Sequence, residues 1–118
     1  MKDLRKTIGN SGEQKSCDYL LNHGFSIVER NYRTKDGEID IIAKTGEILV
    51  FVEVKTRTTV EFGNPAEAVN ETKIEHMLKT AKYFLYSNRI NNKSMRFDVI
   101  EVFIYKGRYK VNHIKQIM

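Results

Sequence analysis

Five consecutive apolar residues, Ile48-Leu49-Val50-Phe51-Val52, run directly into Glu53-Val54-Lys55. A strand shows alternate side chains to opposite faces, so a run apolar at every position must be covered on both sides. The segment 47–57 therefore reads as the central strand of a sheet with helices on both faces, an α/β arrangement. Charged residues at the end of such a strand need a reason, because desolvating an unpaired charge is costly. Glu-x-Lys occurs three times, at Glu13, Glu53 and Glu71, but only Glu53 and Lys55 continue a buried strand.

The flanking segments supply the other layers. A helix is expected over 11–23, with Asn10 or Ser11 as its cap and Gly24 as its stop. Strands are expected over 25–33 and 38–44, with Lys35-Asp36-Gly37 as the turn between them and Thr45-Gly46 as the hairpin leading into 47–57. Asn64-Pro65 and Glu67 read as the start of a second helix. Its buried stripe would be Ile74, Met77, Leu78, Ala81, Phe84 and Leu85, with Lys79 and Lys82 pointing away. Strands over 96–105 and 108–114 complete the order. With 118 residues, no repeat and no linker, the chain reads as one domain over 1–118.

Register brings the acids together. With Thr45-Gly46 as the loop, Lys44 opposes Glu47, Asp40 opposes Phe51, and Glu53 becomes Asp40's diagonal neighbour on one face. Diagonal neighbours have Cβ atoms roughly 7–8 Å apart, within reach of a shared ion. Glu38 would oppose Glu53, and Lys55 would project from the same face. Such a cluster repels itself unless a cation or Lys55 balances it. Hard oxygen donors without His or Cys favour Mg²⁺ or Mn²⁺, which could polarise a phosphoryl oxygen and activate water, with Lys55 orienting it. The competing reading is a structural salt-bridge cluster of Glu38, Glu53 and Lys55. Glu13 opens a core-facing stripe with Cys17, Leu20 and Leu21, and either leans toward the metal or caps the helix.

Charge narrows the partners. Residues 1–75 carry a net charge of −2 and residues 76–118 one of +7. That asymmetry suits a phosphate backbone, or is a lysine-rich solvated face. Arg57, Arg33, Lys73, Lys79 and Lys82 are the candidate phosphate contacts, with Arg30 and Lys35 near strand ends. Tyr83 and Tyr86 either stack on bases or pack. Arg96 and Asp98 read as a structural pair, Cys17 as a small core residue, and the three histidines carry no ligand spacing. A lone cysteine and no apolar stretch near bilayer length point to a cytoplasmic protein without a membrane partner.

Several blocks match a known pattern in order. They are Gly12-Glu13, Arg30-Asn31-Tyr32-Arg33, Gly37-Glu38-Ile39-Asp40, the segment 51–57, and Arg96-Phe97-Asp98-Val99. Over about residues 8–105 the chain resembles the YraN-like family of uncharacterised bacterial proteins. That family is similar to the PD-(D/E)xK nuclease superfamily and related to archaeal Holliday junction resolvases. The resemblance implies a restriction-endonuclease-like αβββαβ core. It also implies a Mg²⁺ or Mn²⁺ site of Asp40, Glu53, the Val54 carbonyl and Glu13, with Lys55 as catalytic lysine. Ile39 stands where the superfamily name has proline. The implied activity is metal-dependent hydrolysis of DNA, structured or branched DNA in particular, by a two-fold homodimer. The alternatives are a non-catalytic nucleic-acid-binding module and a protein-interaction role in which the acidic cluster is structural.

Overall fold

The computed structural model describes residues 4–58, 70–91 and 93–117, the side chains of 4–9 excepted. The elements are α1 (Leu4–Asn22), β1 (Ser26–Thr34), β2 (Gly37–Thr45), β3 (Ile48–Arg57), α2 (Glu71–Ser87), β4 (Ser94–Tyr105) and β5 (Arg108–Ile114). The strands form one sheet in the order β1-β2-β3-β4-β5. All neighbours are antiparallel except β3 and β4, which run parallel and are bridged by α2. A parallel join requires such a crossover, which carries α2 onto one face while α1 lies on the other. The architecture is the expected αβββαβ core, extended by β5 on the edge beyond β4.

The core splits into two layers around β3. Val50 and Val52 pack with Cys17, Leu20, Phe25, Ile41, Ala43, Ile100 and Val102 beneath α1. Leu49 and Phe51 pack with Ile39, Ile42, Phe97, Met77, Ala81 and Phe84 beneath α2. Each face of β3 thus meets a different helix, which is why the run is apolar throughout. Phe51 is fully buried, and its truncation to alanine is expected to cost about 3–5 kcal/mol.

Helix α1 departs from the expectation at its start. It begins at Leu4 and runs through Asn10 and Ser11, so neither caps it. Its buried face is Gly12, Glu13, Ser16, Cys17 and Leu20, while Leu21 is 55% exposed and leaves the expected stripe. Helical spacing allowed either leucine, and the proximity of β3 selected Leu20. The end is as expected: Gly24 adopts φ +86°, and Phe25 N–H returns to Leu20 C=O at 2.9 Å. That turn is left-handed and suits glycine.

Helix α2 is capped by Asn70, whose side chain accepts from Lys73 N–H at 2.8 Å. The expected start at Asn64-Pro65 and Glu67 lies outside the described residues. Met77, Thr80, Ala81 and Phe84 are buried, Leu78 and Leu85 pack partly against them, and Lys79 and Lys82 are exposed. Tyr83 and Tyr86 are exposed too, at 55% and 84%, so of the two roles open to them packing is not the one they serve.

Candidate functional site

The β2–β3 hairpin turns on Gly46 and Glu47, with Thr45 paired to Ile48. This shifts the register by two residues from the expected one. Because the shift is even, the face of each β3 side chain is unchanged. Its consequence is that Glu38 no longer opposes Glu53. Glu38 instead pairs with Arg33 on β1, Oε1 to Nε at 3.3 Å. Extending the register brings Asp40 alongside Glu53.

The ladder itself stops one step earlier, at Ile41–Val52. There the Asp40 carboxylate, not a backbone carbonyl, accepts the Val54 N–H, Oδ2 to N at 2.8 Å. Ile39 and Ile41, two residues apart, belong to opposite core layers. The in–out alternation of β2 therefore slips across Asp40, and the side chain is held toward β3.

Glu53 is buried and carries two ammonium groups on one oxygen. Lys55 Nζ lies 3.1 Å from Oε1 and Lys73 Nζ 3.3 Å from the same atom. Lys55 comes from the same strand face; Lys73 comes from the first turn of α2, delivered by the Asn70 cap. Burial, followed by the charge of Glu53, pushes Asp40 up to about 7. The Val54 N–H acts in the opposite direction, and Glu38 and Glu13 add smaller repulsions. Four acids thus act on one region, two of them at close quarters.

Glu13 is buried on the middle of α1, far from either helix end, so the capping role is excluded. Its Oε1 accepts from Arg30 Nε at 3.1 Å and from Asn31 Nδ2 at 3.0 Å. Arg30 also donates to Gln14 Oε1 at 3.0 Å. Asn31 adopts φ +53°, a conformation asparagine tolerates better than most residues. Arg30 therefore serves Glu13, and Arg33 serves Glu38. Of the other candidate phosphate contacts, Lys79 and Lys82 stay exposed on α2, Lys73 is turned to Glu53, and Arg57 is half-buried.

Of the oxygen donors expected for a hard cation, the Asp40 and Glu53 carboxylates and the Val54 carbonyl belong to neighbouring strands, while Glu13 Oε1 is engaged by Arg30 and Asn31. Among the described residues no three Asp, Glu, His or Cys side chains stand together as a ready cage. Mg²⁺ needs no such cage, since it is commonly held by one or two carboxylates and keeps several waters. The donor chemistry thus fits a hexacoordinate hard cation and does not fit zinc.

Sequence reading missed Lys73 as a partner of Glu53, Asn31 as a partner of Glu13, and His113. His113 Nε2 lies 2.7 Å from Asp98 Oδ2, and its Nδ1 shares a hydrogen bond of 3.1 Å with Tyr19 Oη. Asp98 also takes both Arg96 Nε and Nη2 at 2.9 Å, as the expected pair. Each of these partners needed the fold to be found.

The fold and this pair of acids on neighbouring strands, with a lysine, define an α/β protein with a restriction-endonuclease-like core. The chain belongs to the uncharacterised protein family UPF0102, which it matches over residues 12–102. It is 47% identical to a UPF0102 protein of Alkaliphilus oremlandii over 114 residues, 95% of this chain and 97% of the relative. Identity to one from Caldicellulosiruptor saccharolyticus is 47% over 100 residues, 85% of each chain. A Clostridioides difficile relative is 46% identical over 109 residues, covering 92% of this chain and 94% of the relative. No helix among the described residues is long and apolar enough to cross a membrane.

Proposed function

We propose that the protein is a metal-dependent phosphodiesterase acting on DNA, structured or branched DNA in particular. One observation carries the reading: Asp40 and Glu53 are held together on neighbouring strands of the sheet, at the expense of Asp40's ionisation. Two acids kept in mutual repulsion are a feature of sites arranged for a task, since packing alone would favour their removal.

Asp40, Glu53 and the Val54 carbonyl would hold Mg²⁺ or Mn²⁺. When bound, the cation would polarise a phosphoryl oxygen and make water a better nucleophile near neutral pH. The Val54 N–H fixes the orientation of Asp40. Lys55 supplies a positive charge where negative charge develops on the scissile phosphate. Glu13 holds Arg30 and Asn31 beside the site and so fixes its α1 wall. Lys79 and Lys82 on the open face of α2 offer the charges a nucleic-acid backbone needs, with Tyr83 and Tyr86 exposed beside them for stacking.

The test is cleavage of branched and linear DNA in Mg²⁺ and Mn²⁺ by the wild type, Asp40→Asn and Lys55→Ala. Both variants should lose at least about 100-fold in rate, the scale of a lost electrostatic contact to the transition state, while retaining DNA binding. Chelation of the cation should silence the wild type. Cleavage retained in Asp40→Asn would sink the proposal.

A second reading has its own observation. Lys55 and Lys73 already neutralise Glu53 without any metal, as a non-catalytic nucleic-acid-binding module would require. That reading expects salt-sensitive binding unaffected by divalent cations or their removal. Metal-dependent turnover by the purified protein would end it.

A further inference from the structure

Strand β4 carries an acid that the site above does not use. Glu101 is fully buried, and it is the ladder partner of Lys55 on β3 and of Asn112 on β5. Laterally paired residues project from the same face of a sheet, with strands about 4.8 Å apart. Glu101 therefore stands beside Lys55 on the face that bears Glu53. Asn112 Nδ2 donates to its Oε1 at 2.8 Å.

The other carboxylate oxygen, Oε2, is buried without a hydrogen-bond partner. Among the described residues Arg57 Nε is the other buried side-chain atom in that condition. A buried carboxylate oxygen without a donor is costly and calls for an explanation. Meanwhile Lys55 Nζ, one strand away, shares Glu53 Oε1 with Lys73. A cation that takes Glu53 Oε1 displaces Lys55 from that atom, and a displaced ammonium at a half-buried position needs a new acceptor.

We propose that Glu101 is a positioning residue for Lys55. When a divalent cation takes Glu53, Lys55 swings across the β3–β4 pair and donates to Glu101 Oε2. The lysine then neutralises Glu53 in the empty site and is held by Glu101 beside the loaded one, where its charge still serves the phosphate. This inference rests on the metal-site reading above and adds to it the residue that receives the lysine.

The experiment is calorimetric Mn²⁺ titration of the wild type, Glu101→Gln, Lys55→Met and the double variant, with Asp40→Asn as control and thermal melts alongside. Glu101→Gln is expected to weaken Mn²⁺ binding about tenfold, the scale of one charge-assisted hydrogen bond. In the Lys55→Met background, where no ammonium needs a new acceptor, the same change should have little effect. Glu101→Met, which keeps the volume without an acceptor, should behave like Glu101→Gln. An equal loss in both backgrounds would assign Glu101 to Arg57 or to the general field and overturn the inference. So would no loss at all while Asp40→Asn abolishes binding, and in either case the metal-site reading would stand. Absence of Mn²⁺ binding by the folded wild type would overturn both.

Discussion

At the scale of single residues, Asp40 is the most informative position. Its folded-state pKa lies near 7, above the ordinary value of 3.8. The folded state therefore binds more protons than the unfolded chain between those values, so stability is fully present below about 4 and falls as pH rises through 7. Asp40→Asn removes the ionisation while keeping the acceptor for Val54 N–H. Without a divalent cation, the variant should be more stable than the wild type at pH 8, by on the order of 1–3 kcal/mol. The two should converge near pH 4, and urea unfolding at both pH values checks this. Equal stability at pH 8 would mean that Asp40 ionises there without strain. Glu53 and Lys55 were legible because charged residues following an apolar run contradict their surroundings, whereas Asp40 was reached through the hairpin register, which the structure shifts by two residues. Lys73 was not legible, since one lysine among several on a helix carries no mark of the carboxylate it will meet.

At the scale of elements, the contact of α1 with β3 depends on a missing side chain. A Cβ on Gly12 would overlap the Thr56 hydroxyl and lie 3.0 Å from Thr56 Cβ. Alanine would gain about 1 kcal/mol in helix propensity. It must nevertheless move a β-branched side chain that has little rotamer freedom. Gly12→Ala is expected to destabilise by about 1–2 kcal/mol net. In a Thr56→Ala background the same change should become neutral or stabilising. Urea unfolding midpoints of the four proteins decide it, and additivity would show that the close approach is relieved elsewhere. Since α1 also carries Glu13 toward Arg30 and Asn31, a displaced helix would disturb the wall of the site as well.

At the scale of the whole molecule, Asp98 ties distant parts of the chain together. It is fully buried on β4 and joined to Arg96, to His113 on β5 and to Gln116 N–H at 3.1 Å beyond β5. Through His113 it reaches Tyr19 on α1. Burial alone would raise its pKa, but the hydrogen bonds from His113, Arg96 and the Gln116 amide outweigh that and hold it below 3.8. This contribution is present above the ordinary carboxylate value and is lost as pH falls through the lowered one. Asp98 destabilises the fold in acid and Asp40 destabilises it toward alkali. The cation-free protein should therefore be most stable in mildly acidic solution, about pH 4–6. Melting temperatures from pH 2 to 9 would show this as a dome, and a maximum above pH 8 would contradict the raised Asp40.

Local chemistry determined the elements. The apolar run of β3, the αL glycine after α1 and the stripe of α2 each impose one conformation, whatever the rest of the chain does. Glu53 and Lys55 were visible for the same reason, as was the parity that places them on one face. What depends on contacts between distant segments was decided only by the tertiary structure. The hairpin turned one position later than expected, with Gly46 at φ +57° in the first place of a two-residue turn. α1 ran through two good caps, Asn10 and Ser11, which local sequence alone could not overrule. Lys73 on Glu53, Asn31 on Glu13 and His113 on Asp98 bring together residues 15 to 20 positions apart. Partners of that kind are chosen by proximity in the folded sheet, and no periodicity along the chain encodes it.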